Sequence, residues 1–427
     1  MDVFAFRDEL ISDYGRFSRS FTTIRAEDIS RAVDRAYAGG RFWPAPLIQL
    51  NPNFVPGGYI DDLVSDGMLD EQCAKIFRIK NTSDPFGKRL RLHKHQADAI
   101  EIARCRQSYV LTTGTGSGKS LSYFIPIVDD VLRRKKAGDP CKGITAIVVY
   151  PMNALCNSQL EELVKFLRLG YGNGQEPVSF ARYTGQESNE DRERIAKNPP
   201  DILLTNYVML ELIMTRFLET DKAIREHATG LRFLILDELH TYRGRQGADV
   251  ALLVRRVRER FNENLLCIGT SATMASEGSA RDRNTAVANI ASRLFGVTVN
   301  ADSVITETIE PVTDRDTPMD SHILRRAIEA GVPSQPTHDE LSGHPVAAWV
   351  ERNLGLEDQD GKLVRISRPL TVVEASGKLA NASGLALDTC RDYLARFLLA
   401  AYQSQDDRGR SFFPFRLHQF ISGALNA

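Results

Sequence analysis

From about residue 88 to residue 300 the chain alternates short apolar runs with longer stretches whose apolar residues recur every three or four positions. The runs SYVLTT (108–113), ITAIVVY (144–150), VSFARY (178–183), DILLT (201–205), LRFLIL (231–236) and LLCIG (265–269) predict six strands. Helical patterns lie between most of them, for instance from Lys119 to Lys135 and from Asn157 to Leu169. Strands that are apolar on both faces and joined by helical crossovers form a parallel sheet with helices on both sides. On such a sheet ligands bind at the C-terminal ends of the strands, so polar residues just after these runs are the candidates for chemistry.

The flanks read differently. DVFAFRDELISDYGRF and AEDISRAVDRAYAGG carry helical spacing, with Gly39-Gly40 as a stop, and FWPAPLIQLNPNFVPGG is an extended, Pro- and Gly-rich segment. After about residue 300 the alternation stops: HILRRAIEAGV and HPVAAWVERNLGLE are helical, and EASGKLANASGLALDTCRDYLARFLLAAY predicts two helices around Ser383-Gly384. Ala380 and Gly384, four apart, fit the close-packed turn of a helix-turn-helix; a plain helical hairpin is the favoured reading and a winged-helix unit that touches nucleic acid the alternative. The expected organisation is a helical region over 1–87, an α/β lobe over 88–300, and a mainly helical accessory region over 301–427.

Composition adds limits rather than a function. A length of 427 residues accommodates two or three domains, and 42% apolar content suffices for sizeable cores. Lys plus Arg (54) nearly cancels Asp plus Glu (55), so any nucleic-acid surface must be local. The six cysteines are scattered with no Cys-x-x-Cys, which argues against a zinc knuckle and for reduced thiols. The N-terminus has no apolar signal region, and no run approaches the roughly 20 residues of a membrane span. A cytoplasmic protein without a membrane partner is expected.

The sharpest chemistry is VLTTGTGSGKSLSY. Gly114, Gly116 and Gly118 follow a strand, and Lys119-Ser120 opens a helix. Glycines let the loop curl so that backbone N–H groups face phosphate oxygens, and the helix N-terminus adds positive potential. The segment Thr113, Gly114, Thr115, Gly116, Ser117, Gly118 is thus a phosphate cradle; Lys119 reaches the β- and γ-phosphates and Ser120 is a ligand for Mg²⁺. The strict loop pattern wants Gly at 113, where Thr113 stands. At the end of LRFLIL come Asp237 and Glu238, then Leu239 and His240. Asp237 is placed to hold Mg²⁺, and Glu238 to orient or deprotonate an attacking water. His240 is positioned to couple this pair to the strand ending in GTSAT (269–273), through Ser271 and Thr273.

In this order TGTGSGKS, DELH and SAT resemble motifs I, II and III of superfamily 2 DEAD/DEAH-type helicases. LHKHQADAI (92–100) looks like the upstream element whose glutamine, here Gln96, recognises adenine. YPMNALCNSQ and NPPDILLTNYVML resemble motifs Ia and Ib. The likeness is greatest to the YprA-like group, through HQADAI, PPDILLTN and DELHTYRGRQGADVALLVRR. PLIQLNPNFVPGG and FPFRLHQFISG further suggest the long bacterial helicases of phage-defence gene clusters. The resemblance implies a RecA-like lobe, ATP and Mg²⁺ as cofactors, DNA as a partner with 3′-to-5′ movement in relatives, and backbone contacts by Pro151, Asn153, Leu155, Thr205 and Asn206. Met152-Asn153 stands where many helicases carry Thr-Arg or Thr-Lys, which removes a charged phosphate contact.

Such motors close two RecA-like lobes on ATP, the second supplying an arginine finger. No second strand–helix alternation and no finger motif follow Thr273 in this sequence. Arg243 and Arg245 lie just past the carboxylates, on the same lobe, which is the wrong side for a finger; nucleic-acid contact remains open to them. Six arginines fall between 243 and 260, of which Arg255, Arg256 and Arg258 fit either a solvated helix face or a phosphate track. The expectation is the first motor lobe of a nucleic-acid-dependent ATPase, slow alone and completed by a protein partner or further sequence. The alternative is an ATP-dependent switch or binding subunit of a defence complex.

Overall fold

The computed structural model describes residues 2–420 apart from 40–41, 115, 140–142, 173, 273–278, 360, 367 and 407–408. The chain forms two compact units, one of residues 54–308 and one of residues 1–53 with 309–427. These boundaries differ from the expected ones. Residues 54–87 belong with the α/β lobe: the strand Pro56–Tyr59 pairs antiparallel with Arg91–His93, and Ile60, Leu69, Cys73, Ile76 and Phe77 are buried in the lobe's core.

The lobe is built on seven parallel strands: β1 (Tyr109–Thr112), β2 (Ala146–Tyr150), β3 (Phe180–Arg182), β4 (Ile202–Asn206), β5 (Phe233–Leu236), β6 (Leu266–Ser271) and β7 (Val304–Thr306). Their spatial order is β7-β1-β6-β5-β2-β4-β3. This is the expected RecA-like α/β arrangement. Two apolar cores, one on each side of the sheet, explain why the strands read as continuous apolar runs: Leu111, Val148, Leu204 and Ile235 face one, and Val110, Ile147, Leu203 and Leu234 face the other. Six strands lie where the pattern places them. The seventh, β7, was missed because its three residues are too few to show periodicity, and it carries the lobe past residue 300.

The other unit is less purely helical than expected. The helices Val3–Ser20 and Glu27–Ala38 form as the spacing predicts. Leu47–Leu50, within the segment expected to be extended, is the middle strand of an antiparallel sheet between Leu370–Thr371 and Phe415–His418. A hairpin joins Leu356–Gln359 to Lys362–Arg365. The two helices around Ser383-Gly384 are Val372–Ser383 and Leu387–Gln403, and Gly384 takes the left-handed conformation that ends the first. Leu379, Cys390, Leu394 and Phe397 bury their shared face. Among the described residues no helix is long and apolar enough to cross a membrane.

Candidate active site

β1 runs directly into the glycine-rich loop, and the helix Leu121–Lys136 leaves it. Gly116 and Gly118 have φ of 83° and 70°, a conformation that side chains resist. A Cβ on Gly118 would come within 2.6 Å of Gln96 Nε2. The loop is tied from several sides. Thr113 Oγ1 and Ser117 Oγ are 2.6 Å apart. Buried His95 brings Nε2 to 2.9 Å from the Ser117 carbonyl. Gln96 Nε2 donates to the Gly118 carbonyl at 2.9 Å, while its Oε1 accepts from the His93 amide at 2.8 Å. Both amide atoms of Gln96 thus make contacts within the protein, bracing the loop and capping the helix, and each keeps a second hydrogen-bonding position beside the one used. The Gly114 amide donates to Glu307 Oε2 at 2.9 Å, a residue that sequence reasoning passed over. Thr115 lies outside the described residues.

Asp237 and Glu238 emerge at the end of β5, between β6 and β2. Glu238 Oε1 is 3.4 Å from Lys119 Nζ, and its Oε2 is 3.2 Å from His240 Nδ1. His240 Nδ1 also lies 3.2 Å from Ser271 Oγ, so the expected link between the carboxylates and the next strand is formed at Ser271. Thr273 lies outside the described residues. Sequence reasoning missed Thr270, which is buried at the C-terminal end of β6. Its hydroxyl donates to Asp237 Oδ1 and accepts from the Glu238 amide at 3.2 Å. The signal was present: a hydroxyl residue within GTSAT on a buried strand needs polar partners, and only the strand ends offer them. Glu238 itself sits at φ 52°, ψ 57°, left-handed values that cost a non-glycine residue on the order of 1–2 kcal/mol.

Burial pushes the Asp237 carboxyl up to about 6; the Glu238 charge adds to the rise, while the Thr270 hydrogen bond and Lys119 oppose it. A half-buried carboxylate desolvated to this degree favours a proton or a cation beside it. Together with Ser120, which opens the following helix, it is a hard-oxygen donor set that suits Mg²⁺.

Further along the same sheet edge, the candidates from motifs Ia and Ib meet. Asn206 Nδ2 donates to Asn153 Oδ1 at 2.8 Å and to the Thr184 carbonyl at 3.1 Å, and Asn206 Oδ1 caps the helix Tyr207–Thr215 through the Met209 amide at 2.7 Å. These residues and Pro151 line a cleft of about 490 Å³ that also receives Arg192 and Arg216. Neither arginine was singled out from the sequence. Arg192 is held by the Gly185 carbonyl at 2.9 Å and Arg216 by Asp221 at 2.9 Å.

The other expected contact residues lie outside this cleft. Thr205 is fully buried and donates to the Tyr183 carbonyl at 2.6 Å, so it locks β4 to the loop after β3 and offers no surface. Leu155 packs its side chain against the lobe's core. Arg243 and Arg245 are exposed at the start of the helix Gly244–Phe261 and do not line the cleft. Arg255 and Arg258 donate to the carbonyls of Arg293 and Gly296, at and just beyond the C-terminus of the helix Ala280–Phe295, and Arg256 pairs with Glu211. These three arginines are thus occupied in packing and capping.

Residues 93–280 match the family model of the DEAD/DEAH box helicase. The chain is 27% identical over 344 residues to Druantia protein DruE of Escherichia coli, covering 54% of this chain and 18% of that protein. It is 31% identical over 195 residues to the uncharacterized ATP-dependent helicase YprA of Bacillus subtilis, covering 43% of this chain and 23% of that protein. The chain thus spans only about a fifth of either relative. Among solved structures, the DUF1998 helicase MrfA bound to DNA aligns with 20% identity and a TM-score of 0.44, covering 66% of this chain and 36% of that one; at that level nothing passes from it to this chain. The matched segment holds the glycine loop, the Asp237–Glu238 pair and the Asn153–Asn206 cleft, and over that span the chain is similar to the DEAD/DEAH box helicases.

Proposed function

We propose that this chain is the ATP-binding lobe of a DNA-dependent motor. The observation that carries this reading is one continuous set of contacts from loop to carboxylate to strand: Lys119 to Glu238, Glu238 to His240, and His240 to Ser271. It gives the nucleotide end of the lobe a physical route to its neighbouring strand. In this reading the loop amides and Lys119 cradle the phosphates, and Ser120 and Asp237 hold Mg²⁺, which neutralises charge on the phosphates when bound. Glu238 orients the attacking water, and His240 holds Glu238 in register with Ser271. The Asn153–Asn206 cleft, with Arg192 and Arg216, takes the sugar–phosphate backbone. Those contacts position a strand without reading its bases.

All catalytic groups named here come from one side of the nucleotide. A second RecA-like lobe, on a partner or elsewhere in the same polypeptide, completes the site with an arginine worth on the order of 10³ or more in rate. Similarity to DruE and the likeness to helicases of phage-defence clusters support a place in a bacterial defence system. The test is ATP turnover by this chain with and without single-stranded DNA, beside Glu238→Gln. Slow wild-type turnover is expected, with Glu238→Gln lower by about 100-fold or more and still binding nucleotide. Equal rates in the two proteins overturn the assignment of Glu238. Turnover on the order of 10 s⁻¹ by this chain alone overturns the need for a second lobe.

A further inference from the structure

The glycine loop is held from two flanks, and only one of them belongs to a recognised motif. On one side stand His95 and Gln96, neighbours at the start of the helix Lys94–Arg104, which engage the carbonyls of Ser117 and Gly118. On the other side stands Glu307. It directly follows β7, the edge strand that the hydrophobic pattern did not show, and β7 is paired in parallel with β1, the strand that feeds the loop. The register Thr306↔Thr112 brings the two strand ends level, so the residue after β7 lies beside the residues that leave β1. There Glu307 Oε2 accepts the Gly114 amide at 2.9 Å.

We propose that Glu307 is a positioning residue for nucleotide binding, fixing the entry of the phosphate loop so that its later amides are already arranged for the phosphates. The chemistry supports this direction. A backbone amide bonded to a carboxylate is among the stronger neutral–charged contacts. It pins Gly114, whose lack of a side chain otherwise leaves the backbone freest, at the point where the chain turns from strand to loop. Thr113 is fixed next to it through Ser117. With Gly114, Ser117 and Gly118 all tethered, less conformational entropy is lost when a nucleotide orders the loop. The negative charge of Glu307 disfavours a polyanion nearby, so the hydrogen bond and the charge act in opposite senses, and substitution separates them.

The inference rests on the reading of the loop as a nucleotide site, and the experiment keeps the two apart. Binding of a fluorescent non-hydrolysable ATP analogue with Mg²⁺ is measured for the wild-type chain, Glu307→Ala and Glu307→Gln, with thermal melts of all three. Wild-type binding establishes the site; its absence defeats the nucleotide reading itself. Given binding, Glu307→Ala is expected to weaken it by about tenfold at an unchanged melting temperature, because an acceptor on a charged group is lost. Glu307→Gln, which keeps an acceptor and removes the charge, is expected to bind within twofold of wild type or tighter. Glu307→Ala binding as well as wild type or better overturns the proposal, and so does a Glu307→Gln that fails along with it.

Discussion

The two ends of the lobe's active edge solve different problems with the same strand-end geometry. At the loop-and-carboxylate end, the polar groups lie against one another: Asp237 against Thr270, Glu238 against Lys119 and His240, and the loop carbonyls against His95 and Gln96. At the cleft end, Asn153 and Asn206 hold each other, but Arg192 and Arg216 reach an open space of about 490 Å³. Under the proposed function, the first end is preorganised for a small, highly charged ligand, where displaced donors lose most of their value. Under the same proposal, the second end takes a chain that slides, where contacts need to be adequate and replaceable.

The largest expected break in this comparison is Lys119→Ala. It removes the cation facing Glu238 and the phosphates, and nucleotide affinity is expected to fall by about 100-fold. Binding of single-stranded DNA without nucleotide is expected to stay within twofold, as measured by fluorescence anisotropy. A parallel loss of both affinities merges the two ends into one site.

A smaller effect is expected from Asp237→Asn, which probes the cost of the crowded end. The folded Asp237 carboxyl stands at about 6, above its ordinary value near 4. The folded chain therefore holds a proton that the unfolded chain releases, and stability falls as pH rises through the window from about 4 to 6. Above that window the metal-free wild type carries a penalty of about 3 kcal/mol. Asparagine has no charge to bury, so Asp237→Asn is expected to be more stable by about that amount at pH 7.5 and to lose this slope. Urea unfolding at several pH values, in chelator, measures it. Identical pH profiles count against a buried charge at this position.

The smallest effects belong to the open end. Arg192→Ala and Arg216→Ala are each expected to weaken DNA binding by roughly three- to tenfold and to reduce the salt slope by about one, with nucleotide affinity unchanged. Arg243→Ala, outside the cleft, is expected to change neither. If Arg243→Ala alone lowers the salt slope, the nucleic-acid track runs over the start of the helix Gly244–Phe261 instead.

Legibility followed the same division. The nucleotide end was readable because its residues are adjacent in sequence and bound to fixed local forms: a glycine loop between strand and helix, and two carboxylates at a strand end. The exceptions there, Thr270 and Glu307, act through neighbouring strands, and strand order is not written in any one segment. At the cleft end Asn153 and Asn206 were found by resemblance. Thr205 was assigned to a surface that its buried side chain does not reach, because alternate positions at a strand end differ in direction by a rotation that the motif does not record.

By itself, the sequence determined the parallel sheet, six of its seven strands, the phosphate loop and the carboxylate pair. Local periodicity and backbone chemistry are enough to specify those. Only the tertiary structure decided that residues 54–87 and β7 complete the lobe, that Gln96 braces the loop, and that Arg192 and Arg216 line the cleft beside Asn153 and Asn206. Each depends on which segments pack side by side, and that is set by burial of apolar faces over the whole unit rather than by any short stretch of chain.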